Sequence, residues 1–165
     1  MEKISAEDIV NLNTVWELPK NKKPIVIIGA GGIVSDAHLP AYKKAGFPVL
    51  GIYDPDLDKA KKCAENFSIE KIYSSEEEAL SEKDAVFDIA VPPQVLLGIV
   101  QKLPANSVCQ LQKPMGNSMT QAKRIKEIIH EKNIIACVNL QLKFSPMMIA
   151  LREAIDRNML CKLTE

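Results

Sequence analysis

Cysteine is sparse and scattered in this sequence. The 165 residues include Cys63, Cys109, Cys137 and Cys161, and no two of them form a C-x-x-C pair. Histidine is scarcer still: His38 and His130 stand alone, with no H-E-x-x-H. Zinc sites usually gather paired ligands at close spacing, so no metal site is expected. Four separated thiols read as reduced, packed small hydrophobes. An excess of either charge is also lacking, since 21 Lys and Arg balance 21 Asp and Glu. A net charge of zero argues against a protein that holds nucleic acid or an anionic membrane by bulk charge. No apolar run approaches the roughly 20 residues of a membrane span. The start, with Glu2, Glu7 and Asp8, has no apolar stretch and does not read as a secretory signal. These absences leave a cytoplasmic globular protein as the expectation, with no nucleic-acid or membrane partner. A hydrophobic share of 47% is enough for a packed core.

What is present is an alternation. Residues 1–23 read as an N-terminal leader, with a helical turn or two between Ile4 and Leu18 and polar punctuation from Pro19 to Pro24. Ile25-Val26-Ile27-Ile28 is an unbroken β-branched run, the pattern of a strand buried on both faces. Helical stretches are expected to about Lys44, over 56–66, 75–80, 94–103, 118–132 and 146–157. Strands are expected over 48–53, 71–73, 86–91, 107–112 and 134–138. Strands and helices alternating at this spacing predict an α/β fold, a Rossmann-type doubly wound parallel sheet with helices on both faces. The domain is expected over 24–145. Residues 146–165 are read as the start of a connection to a second, absent domain. Asn158–Glu165 looks like a strand with nothing downstream to pair with, as if the chain were truncated.

Gly29-Ala30-Gly31-Gly32-Ile33-Val34 follows the first strand and opens the first helix. There a glycine pattern has mechanical meaning, although glycine loops after strands also occur as plain turns. Gly29 can make the tight turn, Gly31 leaves room for a pyrophosphate, and the helix N-terminus favours negative charge. Val34 occupies the third position of G-x-G-x-x-G, which implies either a displaced helix or a loop in which Gly32 takes up strain. The second strand ends at Tyr53-Asp54, near the spacing of a ribose-binding acid. A carboxylate there accepts from both ribose hydroxyls and repels a 2′-phosphate, so NAD is favoured over NADP. Another strand ends at Val91-Pro92-Pro93, on the edge of the sheet where ligands lie in such folds.

In order and spacing, five pieces resemble the N-terminal half of the glucose–fructose oxidoreductase, inositol dehydrogenase and MocA (Gfo/Idh/MocA) family. They are Gly29–Ile33, Tyr53-Asp54, Ala90–Pro93, Gln112–Gly116 and Val138–Pro146. The resemblance implies the nicotinamide-cofactor domain of an oxidoreductase acting on CH–OH groups of a sugar, polyol or related compound. It implies a cofactor site of Gly29, Gly31, Gly32, Ile33, Asp54, Pro92, Pro93, Gln112 and Lys113. Lys113 matches the family lysine near the nicotinamide and the substrate hydroxyl, and is the candidate catalytic residue. Gln112 replaces the usual Glu beside it. Lys143 stands where the family usually has Arg and is the candidate substrate contact. If extended, Asn139, Gln141 and Lys143 would present one polar face. His38 is expected to be a surface or packing residue, and His130 a favourable charge at a helix end.

The family's second domain, which supplies most substrate contacts and much of the oligomer interface, is not among these residues. The isolated chain is therefore expected to be inactive, with an apolar patch near Met147, Met148 and residues 151–163. Homo-oligomers would form through that second domain. The alternative is a non-catalytic dinucleotide-binding or redox-sensing module. A short-chain reductase fails for want of Tyr-x-x-x-Lys, and a P-loop for want of Gly-Lys-Ser/Thr.

Overall fold

The computed structural model describes residues 5–159; Cys161 and most of the expected terminal strand lie outside them. Helix α1 spans Ala6–Val10. Five strands follow: β1 (Ile25–Ile28), β2 (Val49–Tyr53), β3 (Val86–Ile89), β4 (Val108–Leu111) and β5 (Ile135–Val138). Between them run α2 (Leu39–Ala45, preceded by a π-helical turn over Val34–His38), α3 (Leu57–Phe67), α4 (Glu76–Leu80), α5 (Pro93–Lys102) and α6 (Met119–Glu131). Helix α7 spans Pro146–Asp156. The chain divides into two units, Lys20–Asn139 and the described residues of Met1–Pro19 with Leu140–Glu165.

All strand pairs of the larger unit are parallel, in the order β2-β1-β3-β4-β5. Such pairing needs a crossover between successive strands, and the expected helices supply it. Their start signals are local. Asp56, Ser75 and Ser118 each accept a backbone N–H of the first helical turn through the side chain. Gly46, at φ +68°, ends α2.

Two apolar layers sandwich the sheet. On one face Val26, Ile28, Phe87, Ile89 and Leu111 pack with Leu96 and Val100 of α5 and Ile125 of α6. On the other, Ile25, Ile27 and Ile52 pack with Leu39 of α2 and Ala60 and Ala64 of α3. This is the expected Rossmann-type layering.

One expected strand is not a strand. Lys71-Ile72-Tyr73 makes a single parallel bridge, Ile72 to Ile52 of β2. Two backbone bonds hold it: Ile52 N–H donates to the Lys71 carbonyl, and Tyr73 N–H to the Ile52 carbonyl. The Tyr73 ring then drives into the core against Gly51, where a Cβ would lie 2.5 Å from Cε2. Ser75 immediately caps α4, so the pairing stops.

In the smaller unit Ser5 and Asp8 form a reciprocal cap on α1. Trp16 meets Phe144 edge to face, with centroids 5.4 Å apart. Gln141–Phe144 is a 3₁₀ turn closed by Lys143 N–H on the Leu140 carbonyl. The expected extended polar face of Asn139, Gln141 and Lys143 is therefore absent. Ser145 caps α7 at once, and the chain tightens to reach it. Met147, Met148, Leu151 and Ile155 of α7 are exposed, as expected of that helix.

Candidate functional site: the crevice at the glycine loop

The carboxyl ends of β1, β2 and β3 meet at a crevice of about 460 Å³. Gly29, Gly31, Asp54 and Pro92 line it, with Tyr53 and Val95. Gly29 takes φ +105°, and a Cβ there would stand 2.4 Å from the Ala90 carbonyl oxygen. Only glycine lets β1 turn this close to the end of β3. At Gly31 a Cβ would meet nothing within 4 Å. That space is the room a pyrophosphate needs, beside helix N–H groups that have no partner within the helix.

Val34 resolves its two options. It is fully buried, and the helix begins with a wide π turn over Val34–His38. Gly32 is unstrained, with no positive φ, and a Cβ there would meet only Asp36 Oδ2 at 3.6 Å. The first turn of the helix widens around the valine, and the glycine is not bent.

Asp54 is tied to the glycine loop itself. Ala30 N–H donates to Asp54 Oδ2 at 2.7 Å, and Asp56 N–H donates to Oδ1 at 2.8 Å. The acid holds the loop and the strand end together, and each oxygen keeps a lone pair for a further donor. Lys59, one helical turn into α3, also lines the crevice and pairs with Asp56 at 3.3 Å. The sequence reading missed it, although its place after an Asp N-cap was visible.

The remaining expected residues lie elsewhere. Gly32 faces a neighbouring hollow with Ser35 and Lys62, and Ile33 is exposed. Pro93 is the first residue of α5. Gln112 N–H donates to the Ile89 carbonyl, which sets it beside the end of β3. Its side-chain Oε1 accepts the Lys113 N–H at 2.9 Å. Lys113 is exposed and precedes a cis proline. Lys143 belongs to the other unit.

A buried polar network was also missed. Asp88, on the central strand β3, accepts from His38 Nδ1 at 2.7 Å, Tyr42 Oη at 2.9 Å and Gln110 Nε2 at 3.3 Å. Asn139 Nδ2 lies 3.1 Å from His38 Nε2. With the proton on Nδ1, the ring donates to Asp88 and accepts from Asn139. Burial, followed by the Asp88 charge, pushes the Tyr42 hydroxyl well above its ordinary range. The signal was present: a lone Asp inside Val86–Val91 has to find partners. His38, expected on the surface or in packing, is buried with both ring nitrogens engaged in this network.

The sheet order, the glycine turn and the acid at the end of β2 describe a nucleotide-binding edge. A model of the oxidoreductase family with an NAD-binding Rossmann fold, GFO_IDH_MocA, matches residues 23–140. The chain belongs to the Gfo/Idh/MocA family. Residues 23–140 are accordingly the NAD-binding Rossmann domain of that family. A mouse relative, trans-1,2-dihydrobenzene-1,2-diol dehydrogenase, is 27% identical over 135 residues, covering 78% of this chain and 40% of its own. Among solved structures, an Agrobacterium radiobacter oxidoreductase in complex with NAD+, L-tartaric acid and magnesium is similar, with a TM-score of 0.73. It is 20% identical, and the match covers 84% of this chain and 41% of that one. A 3-ketoreductase of Actinomadura kijaniata in complex with TDP-benzene and NADP is likewise 20% identical, with a TM-score of 0.69, covering 85% and 45%. The chain spans about 40% of the length of the curated relatives it matches.

Proposed function

We propose that this Gfo/Idh/MocA chain binds NAD in preference to NADP, as the cofactor domain of an oxidoreductase acting on a sugar, polyol or related hydroxy compound. The observation that carries the reading is the 2.7 Å bond from Ala30 N–H to Asp54, beside the open space at Gly31. It ties the carboxylate at the end of β2 to the glycine loop, which supports a ribose site and a phosphate site side by side. When bound, the nicotinamide supplies a hydride acceptor or donor at its ring carbon. The chain's part is to hold it: Gly31 leaves room for the pyrophosphate, Asp54 accepts from the ribose hydroxyls and repels a 2′-phosphate. Lys59 stands in the same wall, but Asp56 pairs with it. Lys113 is the residue assigned to the reacting oxygen and its proton, and Lys143 to the substrate. The diol dehydrogenase and ketoreductase relatives support the CH–OH chemistry.

Calorimetric titration with NADH and NADPH tests this. Tighter binding of NADH, with the gap narrowed by Asp54→Asn, is the expected result. Tighter binding of NADPH, or binding of neither, overturns it. Gln112 favours one second reading, a dinucleotide-binding module without catalysis, because its neutral side chain is committed to the Lys113 backbone. Loss of turnover in Lys113→Met of the enzyme with its substrate domain would refute that reading.

A further inference from the structure

The glycine loop is held from behind by the turn that follows it. The Gly31 carbonyl accepts from Val34 N–H at 2.9 Å and from Ser35 N–H at 3.3 Å. Ser35 Oγ donates to the Gly32 carbonyl at 3.1 Å. Both carbonyls thus turn back into the helix, and the N–H groups at its start face outward, where an anion would meet them. The turn itself is an uncommon one. Leu39 N–H donates to the Val34 carbonyl, five residues back rather than the usual four. A π turn is rare beside the α-helix it interrupts, so tertiary contacts have to hold it open. Two do so, one at each end. Val34 is fully buried at its start. His38 is buried at its end, with Nδ1 2.7 Å from Oδ2 of Asp88. Packing at Val34 has no direction, whereas the His38 bond fixes an angle as well as a depth.

We propose that His38 is a positioning residue for the cofactor: its bond to Asp88 holds the π turn, and the π turn holds the glycine loop in the form that receives a phosphate. This role presupposes the dinucleotide reading above and deepens it. Asp88 is a firm anchor, because β3 is paired on both sides, with β1 and with β4. Asn139 Nδ2, 3.1 Å from Nε2, favours the tautomer with its proton on Nδ1, where Asp88 accepts it. Without the Asp88 bond the turn is free to close to an α turn, which holds one residue fewer. Closure by one residue swings the upstream segment about 100° around the helix axis. The carbonyls of Gly31 and Gly32 would then lose their present donors, and the loop its present form.

The test compares NADH affinity in the parent chain, His38→Gln and His38→Asn, by calorimetry on the whole chain well below each thermal midpoint. An asparagine amide reaches the place of Nδ1 and can donate to Asp88. A glutamine amide reaches the place of Nε2 and meets Asn139 instead. Both side chains are neutral and polar, and Tyr42 and Gln110 still donate to Asp88 in each variant. His38→Gln should weaken NADH binding at least about tenfold, the scale of one hydrogen bond to a charged group. His38→Asn should stay within about threefold of the parent, although it loses the ring as well. A role in stability alone would lower both midpoints and leave both affinities unchanged, and that result overturns the assignment. Equal weakening in the two variants also overturns it, since the Asp88 bond would not be the cause. Hydrogen exchange on the parent needs no variant to fold. Binding of NADH should slow exchange of the Leu39 amide, and an unchanged rate overturns the link from loop to turn. Each of these failures leaves the cofactor reading standing. A parent chain that binds no NADH overturns both.

Discussion

His38 and Asp88 are 50 residues apart in the chain, and 2.7 Å separates Nδ1 of one from Oδ2 of the other. The pair ties α2, through its π turn, to the central strand of the sheet. Tyr42 donates to the same Asp88 oxygen and Gln110 to the other. Asn139, the last residue of the larger unit, joins through His38. Removing the acid strands three donors in the interior. Asp88→Ala should therefore destabilise the chain by about 1–3 kcal/mol, the cost of leaving a buried donor unsatisfied. Asp88→Asn, which still accepts, should cost less. Urea denaturation measures both, and a loss under about 0.5 kcal/mol in Asp88→Ala would refute the role of the network.

Gly29 and Gly31 should respond differently to the same added methyl group. Gly29→Ala forces a Cβ to 2.4 Å from the Ala90 carbonyl oxygen at a φ of +105°. It should cost about 2 kcal/mol or more, and distort the loop. Gly31→Ala meets nothing within 4 Å, so the fold should lose no more than about 0.5 kcal/mol. Its methyl group instead occupies space at the crevice, and NADH affinity should fall. Thermal melts and titrations of the two variants separate fold from binding. A Gly31→Ala variant that binds NADH as the parent does would remove the pyrophosphate from that spot.

The described thiols divide by access. Burial, then the neighbouring Cys137, pushes Cys109 up to about 12. Cys63 is raised as well, by burial first and then by Asp54. Cys137 is exposed, and its thiol is raised by burial and then by Asp88. Alkylation of the folded chain followed by peptide mapping should label Cys137, at a rate that climbs with pH. Cys63 and Cys109 should label only on unfolding. Equal labelling of all three in the native state would contradict this packing.

Acid should loosen the edge where Lys71 sits. Lys71 Nζ bonds Glu82 at 2.6 Å and Tyr73 donates to the same oxygen at 3.1 Å, holding the Glu82 carboxyl below its ordinary 4.5. A lowered carboxylate contributes stability that is present above the unfolded value and lost as pH falls through the folded one. Stability should thus decline from pH 4.5 downward. Glu82→Gln should flatten part of that slope while leaving the neutral-pH fold intact. Denaturation midpoints at neutral and acid pH test it, and an unchanged slope in the variant would assign acid sensitivity elsewhere.

The strand–helix alternation was legible in the sequence because each signal is local. Ile25–Ile28 can only be a strand buried on both faces, Ser75 and Ser118 cap helices within three residues, and Gly46 stops one. The glycine turn and the Tyr53-Asp54 strand end were likewise visible, since position after a strand defines their use. The Lys71–Tyr73 strand and the extended Asn139–Lys143 face were misread for a common reason. A short run with strand propensity pairs only as far as its neighbours permit, and caps at Ser75 and Ser145 cut both short.

Residue order by itself thus determined most of the strand–helix alternation, the glycine turn and the acid at the end of β2. Only the tertiary structure decided which distant side chains meet. His38 finds Asp88, Asp54 binds the Ala30 N–H, and Glu76 enters the crevice because parallel strands bring chain segments 24 to 50 residues apart side by side. Periodicity along the chain carries the faces of each element, whereas partners across elements follow from sheet order and register. For a buried polar group those partners decide its energy, since water is no longer available to replace them.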